Sequence, residues 1–378
     1  MTISLHPERE AAIPGPMNSS PGAVNLFGLS SQITVDRPSN LSITQTLRLS
    51  SDELLRRRFL LSHQPVKGNF RFGLLLEVLD KLAEDTALAH VWRFHPEARV
   101  VTAAIDSIRV RCAPDVNRDM VLRSRVNYIG KSSLEVGVRV EQPGDPSAHI
   151  ASCYLTMVAR TGTREGARSL PLPPLEYVDE LEKRRAAKAV QRREEYQRSR
   201  NTAQELPSKE EHALLAQLRC AQEQPDFRGL LASRLITGGW ERTYPEHENV
   251  PTKIFGGHVV HRAFMYAVIC AEMVATGRPA VVSVNRINFH HPVRMGDKLN
   301  FISRVAYTGN SSICVETDIV RISSDRSTTA LCNTCVFTFV NVDSDFKPQP
   351  VPQIYPTTYA EDGRYLAAYR RRAAYLGG

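Results

Sequence analysis

The sequence predicts an α+β chain made of two copies of one unit, each a long buried helix followed by an antiparallel run of strands. Three observations carry this prediction. A helical stretch from Asn69 to His90 precedes four strand-like runs, the same order returns later in the chain, and a constant offset aligns the two copies.

The first helix is read from its periodicity. Leu75, Leu79, Leu82 and Thr86 recur at three- and four-residue spacing, and no Pro or Gly interrupts the run after Gly73. On the same helix Leu76, Asp80, Ala83 and Ala87 lie one above another, which puts a carboxylate inside an apolar stripe seven residues after Gly73. A buried charge needs a partner. The residue four further on is Glu84, a like charge, and Lys81 is already well placed for Glu77. Asp80 therefore either edges the stripe and meets water or a distant Arg, or is a working group.

Around this helix the chain reads in order. Leu41 to Leu49 alternates as a strand, and Ser51 to Leu61 holds a capped helical turn or two. After the helix come strand patterns at Val100 to Arg111, Met120 to Tyr128, Leu134 to Glu141 and Ala148 to Arg160. Tyr128, Gly130, Ser132, Ser133 and Val136 then reappear as Tyr307, Gly309, Ser311, Ser312 and Val315, an offset of 307 − 128 = 179. The same offset aligns Ile105, Asp106 and Ile108 with Val284, Asn285 and Ile287. Upstream, Phe72 and Gly73 are mirrored by Phe255, Gly256 and Gly257 before a second apolar helix, His258 to Ala275. A helix of about five turns followed by long strands is most economically a curled sheet wrapped round that helix, the hotdog arrangement. Two such copies can pair as a pseudo-dimer and satisfy a sheet edge that a lone unit leaves open. The predicted fold is thus a tandem pair of hotdog domains.

Composition shifts set the boundaries. Residues 1–40 carry Pro14, Pro16, Pro21 and Pro38 with little periodicity and read as a flexible lead-in. Residues 41–165 form the first hotdog domain and 227–345 the second. Between them, 166–226 is a charged linker with its own helices, one from about Glu176 to Ser199 and a shorter one after Pro207. Residues 346–378 are a tail in which Pro348, Pro350, Pro352 and Pro356 lead into a short basic helix from Tyr359 to Tyr375.

The chain of 378 residues is 42% hydrophobic and carries a formal charge of +8. Much of that excess is local: Lys183, Arg184, Arg185, Lys188, Arg192 and Arg193 are interleaved with Glu182, Glu194 and Glu195, the pattern of a solvated helix face and not of a nucleic-acid patch. No window approaches the roughly 18–20 consecutive apolar residues of a membrane span. Seven scattered cysteines point to a reducing compartment with free thiols, and Cys332 and Cys335 fall on opposite faces of one strand. His258, His261, His290 and His291 have no neighbouring carboxylate or Cys set, so no metal is expected. No secretory signal is expected, and the single Arg9 beside Glu8 and Glu10 is weak grounds for a mitochondrial presequence.

Gly256 and Gly257 open the second helix, where unpaired N–H groups and the positive end of the dipole can receive an oxyanion. The plainer reading is that the pair only turns the chain. Counting seven from Gly257 reaches Phe264, and no carboxylate follows until Glu272. The two copies have therefore diverged. Paired about a pseudo-twofold axis, Gly257 can face Asp80 in one composite pocket, while the reciprocal pocket of Gly73 and Phe264 has no acid and should be inert.

Arg71-Phe72-Gly73 through Leu79-Asp80, Gly130-Lys131-Ser132-Ser133, Met157-Val158-Ala159-Arg160, Ile254-Phe255-Gly256-Gly257 and Pro356-Thr357-Thr358-Tyr359 together carry a family likeness. From about Ile43 to Tyr365 the chain resembles the double-hotdog acyl-CoA thioesterases, most closely the mitochondrial acyl-coenzyme A thioesterase 9 group. The resemblance implies hydrolysis of a fatty acyl-CoA to a free acid and coenzyme A, with Asp80 at the position of the catalytic acid. It implies a polar partner from the loop Asn249-Val250-Pro251-Thr252-Lys253, in which Thr252 stands where the family has Asn. Met265 stands where the relatives carry Glu, in keeping with one working site. Catalysis would use the Gly257 amide and its neighbours to polarise the thioester carbonyl while Asp80 activates water or attacks directly.

No cofactor is implied, since coenzyme A belongs to the substrate. The resemblance further implies a homo-oligomer, a trimer of two-domain chains, and a mitochondrial location, with a cytoplasmic one as the alternative. Thr252 and Met265 favour a rival reading, a non-catalytic acyl-CoA binder or scaffold that keeps the fold; Asp80 speaks against it. A hotdog hydratase would need a His and acid pair in its helix region and ranks last.

Overall fold

A computed structural model describes residues 31–37, 40–63, 66–106, 108–144, 148–161, 167–202, 206–250, 253–285 and 287–376. The first half runs β1 (Ser31–Arg37), β2 (Asn40–Leu47), α1 (Glu53–Phe59), α2 (Phe72–Val91), β3 (Arg99–Ile105), β4 (Ile108–Val110), β5 (Met120–Ile129), β6 (Ser133–Gln142) and β7 (Ala148–Arg160). Helices α3 (Glu180–Thr202) and α4 (Lys209–Gln222) follow. The second half opens with β8 (Leu230–Leu231), β9 (Ile236–Arg242), β10 (Glu248–Val250), β11 (Lys253–Ile254) and α5 (Gly256–Glu272). It continues through β12 (Arg278–Val284), β13 (Ile287–Asn288), β14 (Lys298–Thr308), β15 (Ser312–Ile322) and β16 (Thr329–Val342) to β17 (Ile354–Tyr355) and α6 (Tyr359–Leu376).

This is the mixed helix and antiparallel-sheet content of hotdog proteins. Helix α2 packs on β2, β3, β5, β6 and β7, while α5 packs on β9, β12, β14, β15 and β16. The two helices also pack on each other. That second contact explains why α2 is buried nearly all round, Leu75, Leu79 and Leu82 on one face and Leu76, Asp80 and Ala83 on another. A helix apolar on every side must be covered on every side.

The halves share one sheet. It runs β1-β2-β5-β6-β7-β4-β12-β16-β15-β14-β9, and β3 pairs with both β7 and β13. The join is antiparallel: Arg109 and Ile108 face Ser283 and Val284, and Ala104 and Ile105 face Asn288 and Ile287. Adding 179 to the first-half members of one pair of contacts gives the second-half members of the other, since 108 + 179 = 287 and 105 + 179 = 284. Val100 to Arg111, expected as one strand, is accordingly two. The break at Asp106 lets β3 and β4 reach different strands of the other half, while the Asp106 amide bonds to the Tyr154 carbonyl at 2.7 Å.

Two further expectations are corrected. Within the lead-in expected over 1–40, Ser31–Arg37 is a strand, paired with β2 through Ile33 opposite Ile43 and Thr34 opposite Ser42; the rest of that stretch, 1–30 with Pro38 and Ser39, lies outside the described residues. A β2 edge left open by the rest of the sheet offers β1 a ladder to complete.

Helix α3 is also more than a spacer. It lies on β5 as α6 lies on β14, and 180 + 179 = 359 relates their first residues. Arg193 approaches Gly130 as Arg372 approaches Gly309, and the amides of Leu172 and Val351 bond to the carbonyls of Lys131 and Asn310, each at 3.0 Å. The face expected to be solvated is partly engaged: Arg192 ion-pairs with the nearly buried Glu135 and lies 3.6 Å over the Tyr154 ring. The duplicated unit therefore includes the helix that follows each run of strands.

Candidate active site

Helix α2 carries Asp80 to the surface it shares with the first turn of α5. The carboxylate is fully buried, and both its oxygens are occupied. Thr102 of β3 donates its hydroxyl to Oδ1 at 2.7 Å, and the Gly257 amide donates to Oδ2 at 2.6 Å. Burial pushes the carboxyl up to about 6; the bonds from Thr102 and Gly257 and the charge of Lys81 restrain the rise, and the charge of Glu77 adds to it. An acid in this range changes protonation state near neutrality, which suits proton transfer.

The glycines serve approach. Neither Gly256 nor Gly257 is among the described residues of positive φ, so no turn demands them. A Cβ on Gly257 would lie 2.9 Å from the Asp80 Cβ and 3.1 Å from the Glu77 Cα. A Cβ on Gly256 would lie 3.0 Å from the Phe289 ring and 3.2 Å from Asp80 Oδ2. Only bare backbone lets the α5 amide reach the acid.

One turn before Asp80, Glu77 is buried and receives two imidazoles from α5. His261 Nδ1 donates to its Oε1 at 2.7 Å and His258 Nδ1 at 3.3 Å. Burial raises this carboxyl, but the hydrogen bonds and charge of the two histidines outweigh that and hold it at about 2. His247 stacks on His258, their ring centroids 3.9 Å apart. The Lys81 to Glu77 pairing expected from spacing is not formed. Lys81 bonds to Glu84 at 3.2 Å and to Asp85 at 2.8 Å, because Glu77 turns inward to α5.

Around Gly73 the arrangement differs. A Cβ there would lie 2.4 Å from His261 Cδ2 and 3.2 Å from the Phe264 ring, and Phe72 packs on Phe264 at 5.7 Å. Phe264 stands seven residues after Gly257, as Asp80 stands seven after Gly73.

Residues 254–327 match the Thioesterase superfamily. Human mitochondrial acyl-coenzyme A thioesterase 9 is 28% identical over 344 residues, covering 86% of this chain and 75% of the human protein. Protein VdlD of Helicobacter pylori is 30% identical over 130 residues, 34% of this chain and 73% of VdlD. The chain belongs to the acyl-CoA thioesterase family. An acyl-CoA hydrolase structure from Bacillus cereus aligns at 27% identity and TM-score 0.38, over 39% of this chain and 89% of that one.

In this member of the thioesterase family, Asp80, Gly256 and Gly257 come together between α2 and α5. Asn249 lies in β10, paired with β11 just ahead of α5, and Thr252 lies outside the described residues. One expectation needs correction: the Gly257 amide, expected to stand open for an oxyanion, is taken by Asp80 itself. A buried carboxylate without an Arg attracts the nearest strong donor.

Sequence reading missed Thr102, because a hydroxyl in a strand carries no pattern of its own. It also missed Glu77 with His258 and His261, where a signal existed. Glu77 is four residues past Gly73 and His261 four past Gly257, so aligning the two glycines superposes an acid on a base. Among the described residues no group of three or more His, Cys, Asp or Glu is placed to hold a metal ion, and no helix is long and apolar enough to cross a membrane.

Proposed function

We propose that this chain hydrolyses acyl-CoA thioesters, using one composite site in which Asp80 of the first half works with the α5 first turn of the second. The observation that carries the reading is the fully buried Asp80 carboxylate held 2.6 Å from an amide at a helix N-terminus. The names of the relatives, acyl-CoA thioesterases, agree with it.

In the proposed cycle the thioester carbonyl replaces Oδ2 at the Gly257 amide, where the helix terminus stabilises the charge that develops on oxygen. The freed carboxylate oxygen, still oriented by Thr102, either takes a proton from attacking water or attacks the carbonyl carbon. In the first route the C–S bond breaks after the water oxygen adds, and the proton held by Asp80 passes to the departing coenzyme A thiolate. In the second the C–S bond breaks to leave a mixed anhydride on Asp80, which a water molecule hydrolyses to the free acid while its proton goes to the thiolate; either way Asp80 returns ionised to the amide. Asp80 must be ionised for either step, and no cofactor is needed. Asn249 and Thr252, on the stretch before α5, would orient the substrate.

The halves are read as two hotdog domains paired about a pseudo-twofold axis. The exchange of register pairs under the 179 offset and the meeting of Glu77 with His261 support that pairing. Residues 41–165 and 227–345 are read as the two domains, with α3 and α6 joined to them. Exposed apolar side chains on α5, just past its end and on β9, namely Ile269, Met273, Ile236 and Trp240, support a homo-oligomer, a trimer by family likeness. The mitochondrial designation of the human relative supports a mitochondrial location.

Thiol release from a panel of acyl-CoA chain lengths tests the activity. Turnover by the wild-type chain that vanishes in D80N supports it. Binding of acyl-CoA without turnover at any chain length would favour the non-catalytic reading instead.

A further inference from the structure

Between α2 and α5 lies a second polar contact that the proposed chemistry does not use. Glu77 precedes Asp80 by three residues, so it sits one turn away on α2. Its two partners follow Gly257 on α5: His258 is the next residue in the chain, and His261 is one turn further along. Both residues of the Asp80 to Gly257 bond are thus tied, within one turn, to the same hydrogen-bonded cluster.

Helices packed through glycine approach closely but are free to slide, because bare backbone offers no interlocking side chain at that point. The Asp80 to Gly257 bond is short and directional, and a slide of about 1 Å would break it. The Glu77 pair with His261, nearly buried on both sides, resists such a slide, since separating it would strand a charge in the interior. Stacking of His247 on His258 closes the cluster from the loop side, where the His247 carbonyl also accepts the Phe255 amide at 2.8 Å. The same His261 ring lies over Gly73, so the clamp fills the place at which the mirror-image site would open.

We infer that Glu77, acting through His261 and His258, is a positioning residue that holds the first turn of α5 so that the Gly257 amide meets Asp80. This rests on the proposed thioesterase function. It adds that the geometry of the one working site is set by a contact at the place where the two helices cross. The same contact explains the asymmetry of the two sites: an acid on one helix and a base on the other cannot exchange roles.

The groups facing Asp80 decide how a test must be read. On its own helix these are Glu77, Lys81 and Glu84; from β7 Cys153 faces it, from β3 the Thr102 hydroxyl, and from α5 the Gly257 amide. His258 and His261 face Glu77. Removing the Glu77 charge alone makes Asp80 more acidic, whereas detaching the amide makes it less acidic, and the amide is the larger influence. The sign therefore separates a positioning role from a purely electrostatic one.

The experiment uses the full chain and the variants E77Q, E77D, H261Q and H258Q, checked for folding by thermal melting. Amide hydrogen exchange at Gly257 reads the clamp directly, without turnover. Exchange there is expected to quicken at least about tenfold in E77Q and H261Q, less in H258Q, whose contact is longer, and to recover in part in E77D. With acyl-CoA substrate, kcat is expected to fall by up to about a hundred-fold in E77Q with KM within about twofold, and the acid limb to move to higher pH. Unchanged Gly257 exchange in a folded E77Q or H261Q, or an acid limb that moves to lower pH at unchanged kcat, would overturn the inference. Wild-type protein that turns over no acyl-CoA would instead sink the proposed function, while the exchange measurement would still judge the clamp.

Discussion

Asp80 and Gly257 are 177 residues apart in sequence, yet the amide of one donates to the carboxylate of the other at 2.6 Å. The bond joins the two halves at a fully buried carboxylate. It couples the acidity of one residue to the placement of the other, and the first expectations concern that coupling.

D80N should reduce thioester hydrolysis by about 10²–10⁴-fold, the usual contribution of a positioned proton acceptor. The same change should not harm the fold. An Asn can accept from Gly257 and donate to the Thr102 oxygen, so both contacts survive in altered form. The sign of the stability effect follows from linkage. A carboxyl raised from 3.8 unfolded to about 6 folded costs stability that is absent below pH 4 and fully present above pH 6. Near neutrality that cost is about 3 kcal/mol, so D80N should melt higher than wild type at pH 7 and lose this advantage at pH 4. Parallel melts at the two pH values check it.

Activity should follow the ionised form of Asp80, with kcat/KM falling below about pH 6. The Thr102 hydroxyl stabilises the carboxylate, so T102V should shift that limb to higher pH, whereas T102S, which keeps the donor, should not. Rate profiles of the three proteins decide the point. A T102V limb coincident with wild type would remove Thr102 from the site.

How far these contacts could be read in the sequence depends on what each one leaves there. Asp80 was legible because a charge in an apolar stripe is locally inconsistent, and Gly257 because two glycines open an apolar helix. Their meeting was legible only through the repeat, which supplies a symmetry that local periodicity lacks. The repeat extends beyond the boundaries that composition sets. Pro171 and Pro173 recur as Pro350 and Pro352 at the same offset of 179, so the helices that follow, α3 and α6, could have been included in the unit. Charge on α3 hid this, because an Arg on a solvated face and Arg192 over Tyr154 look alike in sequence. The fate of Lys81 was misread for a related reason: helical spacing lists possible partners on one helix and is blind to His261 arriving from another.

G257A should damage both activity and stability. The added Cβ would sit 2.9 Å from the Asp80 Cβ and 3.1 Å from backbone at Glu77, and neither atom can swing aside. The helices must separate, which should cost about 1–3 kcal/mol as overpacking and about a hundred-fold in kcat through the displaced amide. Denaturant melts and steady-state kinetics measure the two effects separately. A variant that keeps both would show that the close approach at Gly257 is dispensable.

His90, at the far end of α2 from the glycines, gives an expectation independent of catalysis. Its ring is buried, and neither nitrogen has a hydrogen-bond partner among the described residues. Burial, with help from the charge of Arg93, pushes it down to about 4. Because this folded value lies below the ordinary 6.5, the unfolded chain binds the proton first, and the histidine destabilises the fold progressively as pH falls from 6.5 to 4. The full effect is about 3 kcal/mol. Replacing His90 with Phe, beside Phe94 whose ring lies 5.6 Å away, keeps an aromatic ring there and removes the titration. H90F should therefore gain stability over wild type at pH 4 while differing little in this respect at pH 7.5. Equal pH dependence of the melting temperatures would mean that the ring finds a partner for its proton in the folded chain.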